Sequence, residues 1–223
     1  MDGHRTIKVW DIATRAFHWA LVLGVFVCWL SAEYRWMVVH QVSGVSVLGL
    51  LLFRLIWGFV GASTARFASF VKSPQAAARY AFASMVKLKD IAHAGHNPAG
   101  GLMVLGFLAI LLAQTFTGLI ANNDLGFAGP LADLVSKGIS DDASRLHGLL
   151  FDLLLVMIWL HLLAVGFYVL VKGHNLLLAM WNGRKTRAEA GEPGALHFAS
   201  RRTLAMAAGA ALVAVIWLYP FFG

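Results

Sequence analysis

The chain has 223 residues, of which 59% are hydrophobic and 13% charged, and it carries eight tryptophans. With a mean hydropathy of +0.72, that composition excludes an ordinary water-soluble globular domain. The net charge of +7 points to anionic lipid heads rather than nucleic acid, and a lone Cys28 excludes an internal disulfide.

Five stretches are long and apolar enough to cross about 30 Å of hydrocarbon as helices: residues 16–32, 39–60, 99–121, 146–171 and 203–222. They predict an all-α integral membrane bundle forming one domain over residues 1–223. The first stretch superficially resembles a signal peptide, but it lacks a small-x-small cleavage site and carries His18 in its body, so it is expected to be retained. In the long loop 61–98, Ser73-Pro74 reads as a helix N-cap followed by proline at the first helical position. Residues 76–91 then mix Tyr80, Phe82, Met85, Val86 and Leu88 with Arg79, Lys87 and Lys89, a composition suited to a helix lying on the membrane surface. Asn97-Pro98 repeats the start signal ahead of the third span. The loop 122–144 contains Gly129-Pro130 and has room for one short helix over 131–137. The last stretch has small residues Ala205, Ala208, Gly209 and Ala211 but no internal ionisable group, as a packing element or a docking surface for a partner subunit would.

Lys and Arg set the orientation, because basic flanks stay in the cytoplasm. With the N-terminus inside, fifteen basic residues fall on the inner side and only Arg35, Lys137 and Arg145 on the outer side. This predicts a multi-pass membrane protein with its C-terminus on the outer side. Glu33, Asp124, Asp133, Asp141 and Asp142 make the outer face mildly acidic. Tryptophans 29, 36 and 217 toward the outside and 57 and 181 toward the inside read as aromatic belts.

Histidines carry the functional signal. His147 and His161 stand fourteen residues apart on one span, which brings them to within roughly 40° of the same helical face and about 21 Å apart along the axis. Taking Glu33 and Arg145 as the outer boundary, His18 lies fifteen residues below it and His161 sixteen, so the two are level. His40 and His147 both stand just inside the outer end of their spans. The economical pairing is His18 with His161 toward the cytoplasm and His40 with His147 toward the periplasm. A lone histidine in a membrane helix commonly just bonds a neighbouring helix, but four at matched depths can ligate two haems. Two imidazoles fill both axial positions of an iron, leaving no open site for oxygen, so the work of such a centre is electron transfer. No C-x-x-C-H is present, so any haem is noncovalent, of the b type.

Several stretches carry a family likeness: Val9-Trp10-Asp11 followed by Arg15, Phe17, His18 and Trp19; His40 with Gly44; the run from Phe53 through Arg54 and Trp57 to Phe59; Ala65-Arg66-Phe67; Gly95-His96-Asn97-Pro98; and Gly183-Arg184-Lys185. Together they resemble the bacterial cytochrome b561 family, which is related to the b-type cytochrome subunits of nickel-iron hydrogenases. The resemblance implies a four-helix core binding two bis-histidine haems, with His18, His40, His147 and His161 as axial iron ligands. The fifth helix and the Arg- and Glu-containing stretch before it depart from that pattern.

Other polar residues have two readings each. Arg54 either neutralises a propionate of the inner haem or snorkels to the headgroups; Arg15 and Arg66 either do the same or meet lipid phosphate. Asp152 faces away from both haems, roughly 140° from His147, and reads as a helix-packing carboxyl or as a proton-linked or quinone-binding group. His93, His96, His174 and His197 fall in inner loops without zinc spacing. They read as exposed loop residues, although His96 and His174, each in Gly-His-Asn, can border an inner quinone pocket.

A transverse electron path needs a donor and an acceptor. The leading expectation is a diheme relay between the membrane quinone pool and a periplasmic redox partner, most simply a basic c-type cytochrome drawn to the acidic outer face. The resemblance also admits a superoxide oxidase reducing ubiquinone, which would need a basic funnel; three basic outer residues against five acidic ones count against it, with Arg35 and Arg145 left as a local basic patch. It further admits a membrane anchor for a hydrogenase or another periplasmic oxidoreductase.

Overall fold

The computed structural model describes residues 5–86, 92–124, 126–191 and 195–218. In chain order the elements are β1 (Thr6–Lys8), α1 (Ile12–Glu33), α2 (Met37–Val60), α3 (Phe67–Phe70), α4 (Pro74–Val86), α5 (Pro98–Ile120), α6 (Lys137–Leu170), α7 (Leu176–Asn182), β2 (Arg184–Thr186), α8 (Arg187–Ala190) and α9 (Arg201–Trp217). Single 3-10 turns occupy Ser63–Ala65 and Ala132–Leu134.

Among the described residues, four helices, α1, α2, α5 and α6, are long and apolar enough to cross a membrane. Their starts have local causes. The Asp11 carboxylate caps α1, accepting from the Thr14 N–H at 2.6 Å and the Thr14 hydroxyl at 2.9 Å. The Asn97 side-chain carbonyl accepts from the Gly100 N–H at 2.7 Å and Pro98 opens α5. Between α1 and α2 the chain reverses through Arg35, at φ 57°, and Trp36 donates its N–H to the Ser31 carbonyl at 2.7 Å.

The fourth span departs most from expectation. Its helix begins at Lys137 rather than residue 146. The added turns are charged, so hydropathy does not register them, but they are tied locally. Lys137 pairs with Asp141 and, at 2.6 Å, with Asp124, while Arg145 pairs with Asp142 at 2.6 Å. Asn122 donates to Ser140 at 2.7 Å and to Asp141 at 2.9 Å, so these turns are stitched to the end of α5. The short helix expected over 131–137 is only the 3-10 turn, with Lys137 already in α6.

The Ser73 hydroxyl accepts from the Ala76 N–H at 3.2 Å, and α4 starts at Pro74 as expected. Phe82, Met85 and Val86 are exposed along it; the remainder of the expected surface helix, 87–91 with Lys87, Leu88 and Lys89, lies outside the described residues. The described part of α9 has 17 residues, and residues 219–222 of the expected fifth span lie outside the described residues.

The chain falls into two compact units. The first is drawn from Met1–Ala16, Leu55–Gly106 and Ile158–Ala205. Its core gathers Val9, Trp10, Ala179 and Ala190, with Ile7, Met180 and Leu196 against them. A small antiparallel ribbon, absent from the all-α expectation, pairs β1 with β2 in the register Thr6↔Thr186, Ile7↔Lys185, Lys8↔Arg184. The Gly183 carbonyl extends this ribbon, accepting from the Val9 and Trp10 N–H groups at 2.9 and 3.1 Å. Gly183 sits at φ 80°, and a Cβ there would lie 2.7 Å from the Trp10 carbonyl oxygen, so the position requires glycine. Buried Thr64 donates to the Val9 carbonyl at 2.6 Å.

The second unit is drawn from Phe17–Arg54, Phe107–Met157 and Met206–Gly223. Val45 and Leu48 of α2, Leu119 of α5 and Leu218 beyond α9 form its core, with Leu52, Leu112, Leu131 and Val215 around them.

Candidate functional site

Within the second unit, α2 and α6 bring His40 and His147 together. Their ring centroids are 6.2 Å apart and their planes lie at 81°. Each ring is aimed by a helix carbonyl. His40 Nδ1 lies 2.8 Å from the carbonyl oxygen of Cys28 on α1, and His147 Nδ1 lies 2.9 Å from that of Gln114 on α5. A carbonyl only accepts, so Nδ1 carries the hydrogen in both rings and Nε2 keeps its lone pair. The Thr117 hydroxyl stands 3.2 Å from His147 Nδ1 as well.

Glycine makes room for this geometry. A Cβ at Gly118 would lie 2.9 Å from Cε1 and 3.3 Å from Nδ1 of His147, so the ring occupies the place a side chain would fill. Around His40, Cys28 donates its thiol to Ser43 at 3.1 Å, and Ser43 donates to the Val39 carbonyl at 2.7 Å. The polar residues of this region thus serve the helices that hold the two rings.

Two neutral imidazoles 6.2 Å apart would be able to hold a haem iron between them and supply it with two nitrogen donors. A second-sphere carbonyl on each Nδ1 is the usual device that fixes tautomer and ring orientation in a ligating histidine.

His18, on α1 in the second unit, is half-buried with its ring edge-on to Trp19 at 4.9 Å. His161, on α6 in the first unit, is also half-buried. Arg54, on α2, is buried at 3% exposure.

A family model described as Prokaryotic cytochrome b561 matches residues 9–183. The chain belongs to this family. No curated protein and no solved structure matches it. Membership makes this cytochrome b561 relative a membrane electron-transfer protein of the b-type haem class, in keeping with its four apolar helices.

Several sequence expectations for this b561-family chain are corrected by the first unit. His93, His96 and His174 are half-buried, not exposed; only His197 is. The His96 ring packs between Trp10 and Phe70, 4.7 Å from each. His174 stacks on Tyr168 at 6.3 Å, and the Tyr168 hydroxyl accepts from Asn97 at 2.9 Å and shares a hydrogen bond with Ser84 at 3.2 Å. Lys185 donates its ammonium to the His93 carbonyl at 2.9 Å. Burial pulls Lys185 below the ordinary lysine range, and the Glu189 charge opposes that. For Glu189 burial acts upward, yet hydrogen bonds from Thr186 and the Asn175 N–H outweigh it and hold the carboxyl below its ordinary value.

Arg15 donates to the Trp181 carbonyl and Arg66 to the Gly61 carbonyl at 2.9 Å, so both cap backbone. Trp57 is no belt residue. It is 2% exposed and directs its indole N–H toward Asp11 at 3.4 Å. Asp152 is exposed and makes no hydrogen bond or ion pair among the described residues, so it does not pack within the chain.

The sequence reading missed Gln114, Thr117 and Gly118. Their signal was a short polar break, Gln114-Thr115 and Thr117-Gly118, in an otherwise apolar helix.

Proposed function

We propose that this protein is a single-domain, diheme b-type cytochrome that relays single electrons between the membrane quinone pool and a periplasmic redox partner such as a c-type cytochrome. His40 and His147 are the axial ligands of the outer haem, and His18 and His161 those of the inner one. The observation that carries the reading is the His40–His147 pair at 6.2 Å, each ring oriented by a backbone carbonyl on its Nδ1. Haem supplies a one-electron couple when bound; the chain supplies neutral ligands, their aim, and an apolar surround.

Basic flanks hold the N-terminus in the cytoplasm of a bacterial cell, and α9 is a fifth span that ends in the periplasm. Buried Arg54 offsets propionate charge at the inner haem. His96 and His174 border the inner quinone site. On the outer face, Lys137 is engaged by Asp124 and Asp141, and Arg145 by Asp142. With those cations neutralised, an acidic surface is left for a basic cytochrome, which favours the relay over a superoxide oxidase.

A pyridine haemochrome assay on the purified chain tests the reading, with reduced-minus-oxidised spectra on adding quinol, a basic cytochrome c, or superoxide. Two haems b per chain, reduced by quinol and reoxidised by the cytochrome, are expected. A chain without haem overturns it, and a response to superoxide alone moves the function to the oxidase.

A further inference from the structure

The two imidazoles of the His40–His147 pair are gripped from different helices. The Cys28 carbonyl on α1 takes the Nδ1 hydrogen of His40 at 2.8 Å, and the buried Ser31 hydroxyl approaches the same carbonyl at 3.1 Å. His147 is held by one face of α5, on which residues 114, 117 and 118 are neighbours in the helical repeat. Gln114 offers its carbonyl at 2.9 Å, Thr117 its hydroxyl at 3.2 Å, and Gly118 bare backbone against the Cε1 edge of the ring.

The Thr117 hydroxyl lies 2.8 Å from the Ala113 carbonyl and 3.0 Å from the Gln114 carbonyl. Its hydrogen is therefore committed to the helix backbone, and its oxygen meets the Nδ1 hydrogen of His147 as an acceptor. One carbonyl alone leaves a ring free to rock about a single N–H···O line, and a second acceptor off that line removes the freedom. The two grips together leave the ring planes at 81°.

We propose that Thr117 is a positioning residue that holds His147 crosswise to His40, so that the outer haem is bound between crossed imidazole planes. The inference rests on the reading of this pair as haem ligands. Each axial imidazole acts through its ring π system on the iron d orbital perpendicular to its own plane. Parallel rings act on one orbital and split it from its partner, whereas crossed rings act on both and leave them nearly equal in energy. A hydrogen bond outside the ligand shell thus sets the electronic state of the iron that takes and gives the electron.

The test is low-temperature electron paramagnetic resonance of the ferric, detergent-solubilised full chain, with haem counted on every variant. The outer haem's signal is the one absent from His147→Ala. In the wild type it should be the strongly anisotropic low-spin signal of crossed ligands. Thr117→Val, which puts a methyl in place of the hydroxyl and keeps the Gln114 carbonyl, should retain two haems and convert that signal to the rhombic form of more nearly parallel rings. Thr117→Ser, which restores the acceptor, should match the wild type, and Thr117→Ala should repeat the change where valine disturbs packing. A rhombic outer signal in the wild type overturns the inference while the haem count leaves the ligand reading standing. So does a crossed signal unchanged in both Thr117→Val and Thr117→Ala. A wild-type chain without haem, or His147→Ala with a full complement, overturns the ligand reading itself and the inference with it.

Discussion

His147 Nδ1 meets the Gln114 carbonyl at 2.9 Å, and the same ring lies where Gly118, one turn further along α5, has no side chain. A single helix thus both aims the imidazole and vacates the space for it. The hydrogen bond is made to backbone and does not use the side chain at position 114, whereas a side chain at position 118 would meet the ring.

Gly118→Ala is therefore expected to displace the ring. A Cβ 2.9 Å from His147 Cε1 is a steric overlap, and overpacking of this kind costs about 1–3 kcal/mol. Haem retention at the His40–His147 site should fall about tenfold or more, read as loss of one haem per chain on dilution into haem-scavenging apomyoglobin. Gln114→Leu, which keeps the carbonyl, should leave retention near wild type.

Removing one histidine at a time tests the proposed pairing. His147→Ala should lose the outer haem and keep the inner; His161→Ala should do the reverse. Redox titration followed optically should show one of two components vanish in each variant, and a full haem complement in both would refute the pairing.

Thr64→Val tests the first unit. The buried Val9 carbonyl would lose the 2.6 Å hydrogen bond from Thr64, leaving an acceptor unmet at a cost of about 1–3 kcal/mol. The melting temperature of the detergent-solubilised protein should fall while the haem spectrum of the folded state stays unchanged. Asp11→Ala, which removes the α1 cap, should cost about 0.5–2 kcal/mol by the same measurement.

Glu189 gives part of the stability a defined pH dependence. Its folded carboxyl titrates below the ordinary 4.5, so at intermediate pH the unfolded chain binds more protons than the folded one. Its contribution is complete above 4.5 and is lost as pH falls through the lower folded value. Acid melting curves of Glu189→Gln should be flatter than wild type over that window. Lys185 is held below its ordinary 10.5, so in its own window stability rises with pH toward 10.5, and Lys185→Met should remove that rise.

Much of the architecture was legible in the residues because hydrocarbon imposes one simple demand, apolar side chains over about twenty positions. That demand reveals α1, α2, α5 and the apolar part of α6, and it makes histidines inside them conspicuous. Ser73-Pro74 and Asn97-Pro98 announced α4 and α5 for an equally local reason, since a cap and its proline act within one turn. The family likeness was written in short motifs running from Val9 to Lys185, of which all but Arg184 and Lys185 fall within the stretch that the family model covers.

What folding alone decided depends on rotation and on partners distant in sequence. Hydropathy places a residue in lipid but does not say which way its side chain faces, so the outward Asp152, the buried Trp57 and the packed His96 emerged only with the tertiary structure. The charged turns of α6 from Lys137 are stabilised by ion pairs and by Asn122, not by apolarity. The β1–β2 ribbon joins residues some 180 positions apart, and backbone carbonyls at Cys28 and Gln114 orient His40 and His147. A backbone carbonyl has no identity in sequence, since every residue carries one, and only the packing of helices determines which carbonyl meets which ring.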